Sequence, residues 1–220
     1  MHTATRKSSC LGADIGKKSR TYLASKRVLD VVVSVIGLIF LFLPMVLIVL
    51  LIKLESPGPA IFVHKRIGKG GEDLPLLKFR SMQMNAEDML DALSPEQQAE
   101  WEENFKLEDD PRVTRFGKFL RKSSLDELPQ LVNVLKGELS IVGPRPITTE
   151  ELAKYGENKE KFLSVTPGLT GYWQAYARST CSYEQRMEME LYYVDNASFW
   201  WDIKIMFATV GTVLRGKGAK

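Results

Sequence analysis

Two adjacent carboxylates, Asp126 and Glu127, follow a stretch dominated by cationic side chains: Arg112, Arg115, Lys118, Arg121 and Lys122. A carboxylate can be a nucleophile, hold a hard cation or cap a helix. Positive neighbours lower its proton affinity and attract phosphate. If residues 115–126 form one helix, Arg115, Lys118, Lys122 and Asp126 share a face at spacings of three and four. A competing local reading makes Ser124 the cap of a new helix, with Glu127 completing a capping box. Pro129 then has to lie near the start of that helix. Asp126 has less structural work of this kind and is the better chemical candidate.

Other residues fit anion binding. Arg145 lies in Gly143-Pro144-Arg145-Pro146, where two prolines stiffen the loop. Its planar fork can pair with two phosphate oxygens, or make a surface salt bridge. Leu76 to Arg80 reads as a strand that places Lys78 and Arg80 on one face. Arg66 to Gly71 reads as a turn, and it lacks the order of a Walker A loop. Cys10 and Cys181 stand far apart, which argues against a disulfide scaffold and for a reducing compartment. His2 and His64 form no zinc-ligand pattern, leaving hard-cation binding by carboxylate and phosphate oxygens.

These groups need elements to position them, and the first is apolar. Val31 to Ile52 carries no formal charge, and a helix of that length reaches about 33 Å, enough to cross hydrocarbon. It begins too far along, and lacks the small-residue cleavage pattern, for an ordinary signal peptide. Pro44 leaves two readings open: a kinked span, or two short arms that dip into the bilayer and return. The net charge of +3 hides a basic collar before this run: Arg6, Lys7, Lys17, Lys18, Arg20, Lys26 and Arg27 face only Asp14 and Asp30. Lys53, Lys65 and Arg66 follow it. Such a collar suits anionic headgroups and a cytoplasmic placement, or is a solvated tail. The basic residues show no aromatic interleaving, which disfavours nucleic acid.

Beyond the turn at 55–59, Ala60 to Val63 reads as a strand. Residues 85–110 form an acidic insert with helices expected over 84–93 and 95–105, the second starting at Ser94-Pro95. Leu131 to Leu135 is a core-facing segment ended by Lys136-Gly137. Thr166 to Trp173 is a structured loop. Tyr192, Tyr193, Phe199, Trp200 and Trp201 precede Ile203 to Leu214, which reads as an interfacial amphipathic helix or as core. The sequence shows no internal repeat and no two-domain boundary.

The ordered set Lys26-Arg27-Val28-Leu29-Asp30, Ser56-Pro57-Gly58-Pro59, Lys78-Phe79-Arg80-Ser81-Met82, residues 110–117, residues 120–131, Gly143-Pro144-Arg145-Pro146 and Pro167-Gly168-Leu169-Thr170-Gly171 resembles the bacterial sugar transferase family. These are monotopic phosphoglycosyl transferases acting on polyprenyl phosphate, and the resemblance runs from about Lys26 to Ala219. It implies a helix-rich α/β catalytic domain with a re-entrant membrane helix broken at Pro44 and amphipathic interfacial helices. By this resemblance residues 1–25 are a basic extension, 26–54 the re-entrant region and 55–220 the catalytic region.

The implied reaction moves sugar-1-phosphate from a UDP-sugar to undecaprenyl phosphate through a covalent aspartyl intermediate, releasing UMP. Asp126 matches the nucleophile and Glu127 its dyad partner. Both are candidate Mg2+ ligands, Mg2+ being the implied cofactor. Lys78, Arg80, Arg112 and Arg145 are candidate phosphate binders, Arg145 foremost, with Arg178 as nucleotide-site support. The expected setting is the cytoplasmic face of a bacterial inner membrane rich in anionic phospholipid, with a homo-oligomer compatible and nucleic acid excluded as a partner. The competing class is a non-catalytic membrane adaptor for a glycan assembly complex.

Overall fold

The computed structural model describes residues 18–89, 93–104, 107, 110–177 and 181–214. Helix α1 (Arg20–Glu55) passes through Pro44 without interruption, and about 54 Å of helix follows from its 36 residues. It is long and apolar enough to cross a membrane. Around Pro44, Ile39, Phe40, Phe42 and Leu43 are exposed. Both flanks of the helix are fastened to the rest of the chain. Near its start, Lys26 Nζ donates to the Val142 carbonyl and to Asp202, and Asp30 accepts from the Ile141 amide and the Ser140 hydroxyl. Near its end, Ile48 and Ile52 are buried with Ala60 and Phe79.

The basic collar is thus partly turned inward. Arg27 donates to the carbonyls of Val134 and Leu135, at the C-terminal end of α4 (Gln130–Lys136), where a cation complements the helix dipole. Lys26 is bound to Asp202, which is fully buried. Buried carboxylates and orphan helix carbonyls draw these two cations away from headgroups.

Two strands follow α1. Strands β1 (Ile61–Ile67) and β2 (Asp73–Phe79) pair antiparallel, with Phe62 opposite Lys78. Helix α2 (Pro95–Asn104) starts where Ser94 and Gln97 exchange cap hydrogen bonds, as the sequence suggested. Met82 to Met89 holds one isolated β-bridge residue and turns; the helix expected over 84–93 is absent there, and Leu90 to Ala92 lie outside the described residues.

Helix α3 (Arg115–Ser123) is capped by the Thr114 hydroxyl and ends at Ser124. Helix α4 then leads into β3 (Ser140–Val142), which pairs in parallel with β4 (Gly168–Thr170). A Cβ at Gly168 would lie 2.0 Å from the Gly143 amide nitrogen, so only glycine permits these two loops to meet. Helices α5 (Thr149–Ala153), α6 (Lys159–Leu163), α7 (Tyr172–Tyr176), α8 (Tyr183–Asn196) and α9 (Phe199–Leu214) complete the fold.

One core joins Leu74, Leu131, Val134, Val142, Tyr193 and Ile205. A second holds Ile48, Ile52, Phe79 and fully buried Leu120 beneath the carboxylate pair. Full burial of one such leucine contributes about 1.5–3 kcal/mol. Helix α9 serves both sequence readings: Ile205 is buried in the core, while Trp200 and Phe207 are exposed.

Candidate active site

The carboxylate pair sits on a sharp reversal of the chain. Ser124 has φ 59° and is the one positive-φ non-glycine among the described residues. It closes α3 by donating its amide to Arg121, and a 3-10 turn over Leu125–Glu127 follows. The Ser124 side chain makes no cap hydrogen bond to that turn. The capping-box reading is therefore corrected, as is the single helix over 115–126. A left-handed residue cannot continue a helix, and here it swings the next residues across β2. Leu125 and Leu128 pack on the second core and anchor the turn.

The reversal buries Asp126, which is 8% exposed, and directs Glu127 to Lys78. Lys78 Nζ lies 3.0 Å from Glu127 Oε1 and 4.0 Å from Asp126 Oδ2. Burial raises the Asp126 carboxyl from 3.8 to about 6; Lys78 opposes this, Glu127 adds to it, and Arg121 opposes it more weakly. The result is an unusually basic carboxylate that still ionises below neutral pH, the condition a carboxylate nucleophile requires.

A narrow cleft with a free volume of only about 10 Å³ opens beside Glu127, lined by Arg66, Lys78, Glu127, Gln130, Arg145 and Gln174 among others. Its cations converge. Burial, then Arg66, Lys78 and Arg145, hold the His64 imidazole at about 4, so His64 is neutral near pH 7. Arg66 donates to Glu151, yet burial and then Arg145 lower its proton affinity. Among the described residues, the Arg145 guanidinium makes no hydrogen bond. Its backbone amide donates to Glu190, which is buried and shared with Arg186 and Tyr155. Burial raises the Glu190 proton affinity. Crowded guanidiniums over a cleft form a site that an anionic ligand relieves.

The structure therefore brings Lys78 to the Asp126–Glu127 pair and Arg145 into the cleft that Glu127 lines. Arg80 is directed elsewhere: it is buried, and its guanidinium donates to the carbonyls of Ser56 and Pro57 and to the Ser56 hydroxyl. The C-terminal carbonyls of α1 lack helical partners and claim it. Arg112 is held in a two-pronged pair with Asp110 at 2.7 and 2.8 Å, 3% exposed and outside the cleft lining. Arg178 lies outside the described residues. The sequence reading named Arg121 among the cations preceding the pair but missed Gln130 and Gln174 as parts of the site. Arg121 donates to the Ser81 hydroxyl and acts on Asp126. Of the two missed residues, Gln130, one helical turn beyond the pair, carried the only local signal.

Among the described residues no three His, Cys, Asp or Glu side chains cluster as metal ligands. Mg2+ often takes one or two carboxylates and fills its remaining positions with water and substrate phosphates. Asp126 and Glu127 side by side, beside a cationic cleft, fit that donor set.

Three relatives align over most of this chain. An uncharacterized sugar transferase of Haemophilus influenzae is 47% identical over 197 residues, 88% of this chain and 42% of its own length. The undecaprenyl-phosphate galactose phosphotransferase of Salmonella typhimurium is 44% identical over 94% of this chain and 43% of its own length. A UDP-galactose-lipid carrier transferase of Erwinia amylovora is 43% identical, with the same two shares. The chain thus spans less than half the length of these relatives. The family model described as bacterial sugar transferase matches residues 21–216, so this chain, with its paired carboxylates on a strained turn beside a cationic cleft, belongs to the bacterial sugar transferase family.

Proposed function

We propose that the protein moves sugar-1-phosphate from a UDP-sugar to undecaprenyl phosphate. The observation that carries this reading is the ionisable, buried Asp126 held at 4.0 Å from Lys78, which together with Glu127 lines a cationic cleft. The names of the Salmonella and Erwinia relatives supply the acceptor and the UDP-linked donor. In the first step an Asp126 carboxylate oxygen attacks the sugar-bearing phosphorus. The bond from that phosphorus to the bridging oxygen breaks, and UMP leaves with the electron pair. In the second, an oxygen of undecaprenyl phosphate attacks the phosphorus of the acyl phosphate, restoring the carboxylate and leaving a lipid diphosphate sugar.

Lys78 and Arg145 hold phosphate oxygens, and Lys78 keeps Asp126 ionised. Asp126 and Glu127 would hold Mg2+, which supplies charge neutralisation on the diphosphate. The experiment is UMP release by purified protein in nanodiscs, given Mg2+, undecaprenyl phosphate and a panel of UDP-sugars. Lipid-dependent release with a lipid diphosphate sugar product is expected. No release from folded protein across the panel would remove the transferase reading.

The same proposal makes α1 re-entrant, entering and leaving at the cytoplasmic face. Its support is that one flank is tied to α4 through Arg27 and the other to α3 through Glu55, which accepts from the Phe116 amide, while exposed apolar residues run along the helix between them, from Val28 to Leu54. The check is labelling of single cysteines at Arg20 and Lys69 in sealed inverted vesicles, with Cys10 and Cys181 replaced by serine. Both positions should react with an impermeant thiol reagent from the cytoplasmic side. Labelling from opposite sides would establish a span instead.

A further inference from the structure

Two residues that line the cleft each bury a polar atom without a partner, one a donor and the other an acceptor. Gln130 is 2% exposed and lines the cleft, and its Nε2 donor has no hydrogen-bond partner. Gln174 lines the same cleft, and its buried Oε1 acceptor has none either. Buried groups of this sort are ordinarily paired, and leaving one unmade is unfavourable. A ligand that answers both must present an acceptor to Gln130 and a donor to Gln174. Ionised phosphate presents acceptors only, and the cleft already has Lys78 and Arg145 for it. A sugar hydroxyl presents both functions on one oxygen.

The placement agrees with this chemistry. Gln130 follows Glu127 by one helical turn, so it neighbours the reacting centre. Gln174 comes from α7, beyond the β4 residue Leu169 on the other wall. The group bonded to the transferring phosphorus is the sugar, which must lie next to the carboxylate pair.

We propose that Gln130 and Gln174 form a sugar-hydroxyl subsite, Gln130 donating to and Gln174 accepting from the hexosyl group of the donor. This rests on the transferase reading, because it identifies the cleft's occupant as a nucleoside diphosphate sugar. The pair acts on sugar recognition, whereas Lys78 and Arg145 act on the diphosphate.

Binding in an Asp126→Asn background separates the two, since no transfer follows. Affinities of UDP, UDP-glucose, UDP-galactose and their monodeoxy analogues are measured by calorimetry, with and without Gln130→Met or Gln174→Leu. Each glutamine variant should weaken the preferred UDP-hexose about tenfold or more, while UDP binding stays within about twofold. One deoxy analogue should lose about tenfold against the parent background and nothing against Gln174→Leu, the signature of a shared contact. Neither variant should lower the ligand-free melting temperature, because neither amide atom has a protein partner to lose.

Equal weakening of UDP and UDP-hexose would overturn the subsite, as would a deoxy penalty that persists undiminished in both variants. Binding of UDP with no gain from any hexose would overturn the subsite while leaving diphosphate recognition in place. A parent that binds neither UDP nor UDP-hexose would overturn both readings together.

Discussion

Asp126→Asn is expected to abolish transfer and at the same time make the protein more stable above neutral pH. The loss of activity should exceed about a thousandfold, because a neutral amide cannot form the acyl phosphate link. The gain in stability follows from burial. The folded-state carboxyl titrates at about 6 against an ordinary value of 3.8. A raised carboxyl favours the folded state below pH 3.8, where both states are protonated. That contribution is lost progressively as pH rises through about 6. At about 1.4 kcal/mol per unit the shift, which already includes the attraction to Lys78, corresponds to roughly 3 kcal/mol.

The variant should therefore melt above wild type at pH 8, and the two curves should approach one another at pH 5. Differential scanning of both proteins in the same detergent checks this. A variant that melts below wild type at pH 8 would mean that Asp126 is a structural cap rather than a strained functional group. Loss of activity with increased stability is the mark of a residue kept for chemistry.

Lys78→Met is the second large effect. Lys78 is the foremost group lowering the Asp126 carboxyl, and it lies within 4.0 Å of both carboxylates. Its removal leaves two adjacent carboxylates to repel one another and takes a cation from the cleft. The ascending limb of kcat/KM, expected near pH 6 in wild type, should move upward by about one unit. At pH 7 the turnover should fall about a hundredfold or more. Raising the pH should recover the part due to protonation but not the part due to the missing phosphate contact. A pH–rate profile checks both components. An unchanged limb in Lys78→Met would show that Lys78 does not govern Asp126, whatever the change in rate.

The carboxylate pair was legible because two adjacent acids after five cations stand out in composition alone. Its geometry was not. The left-handed turn at Ser124 is a non-glycine conformation that no local pattern announces, and it converts a plausible capping box into a half-buried reversal that carries the dyad. Lys78 and Arg80 were indistinguishable on the strand, two cations two residues apart. They part company because the end of α1 presents unpaired carbonyls to Arg80, a tertiary contact that spans 24 residues of sequence to Ser56.

Arg112 was misleading for a similar reason. Asp110 lies two residues away, and the chain folds back so that the two close on each other. The core-facing segment that becomes α4, its end at Gly137 and the two strands near Ala60 and Leu76 were readable from apolar runs and turn residues, though not that the first is helical. The parallel pairing of β3 with β4 was not, because strands of three residues carry no period, and their meeting depends on glycines at 143 and 168. Gln174 reaches the cleft only through that meeting.

The central claim, that Asp126 carries the sugar phosphate, is tested most directly by intact-mass analysis of the protein mixed with Mg2+ and a UDP-sugar in the absence of lipid acceptor. The account predicts a covalent addition of one sugar phosphate, mapped to Asp126, with about one UMP released per active site and neither seen in Asp126→Asn. Transfer to undecaprenyl phosphate by a protein that forms no such adduct under single-turnover conditions, or an adduct that persists in Asp126→Asn, would contradict it.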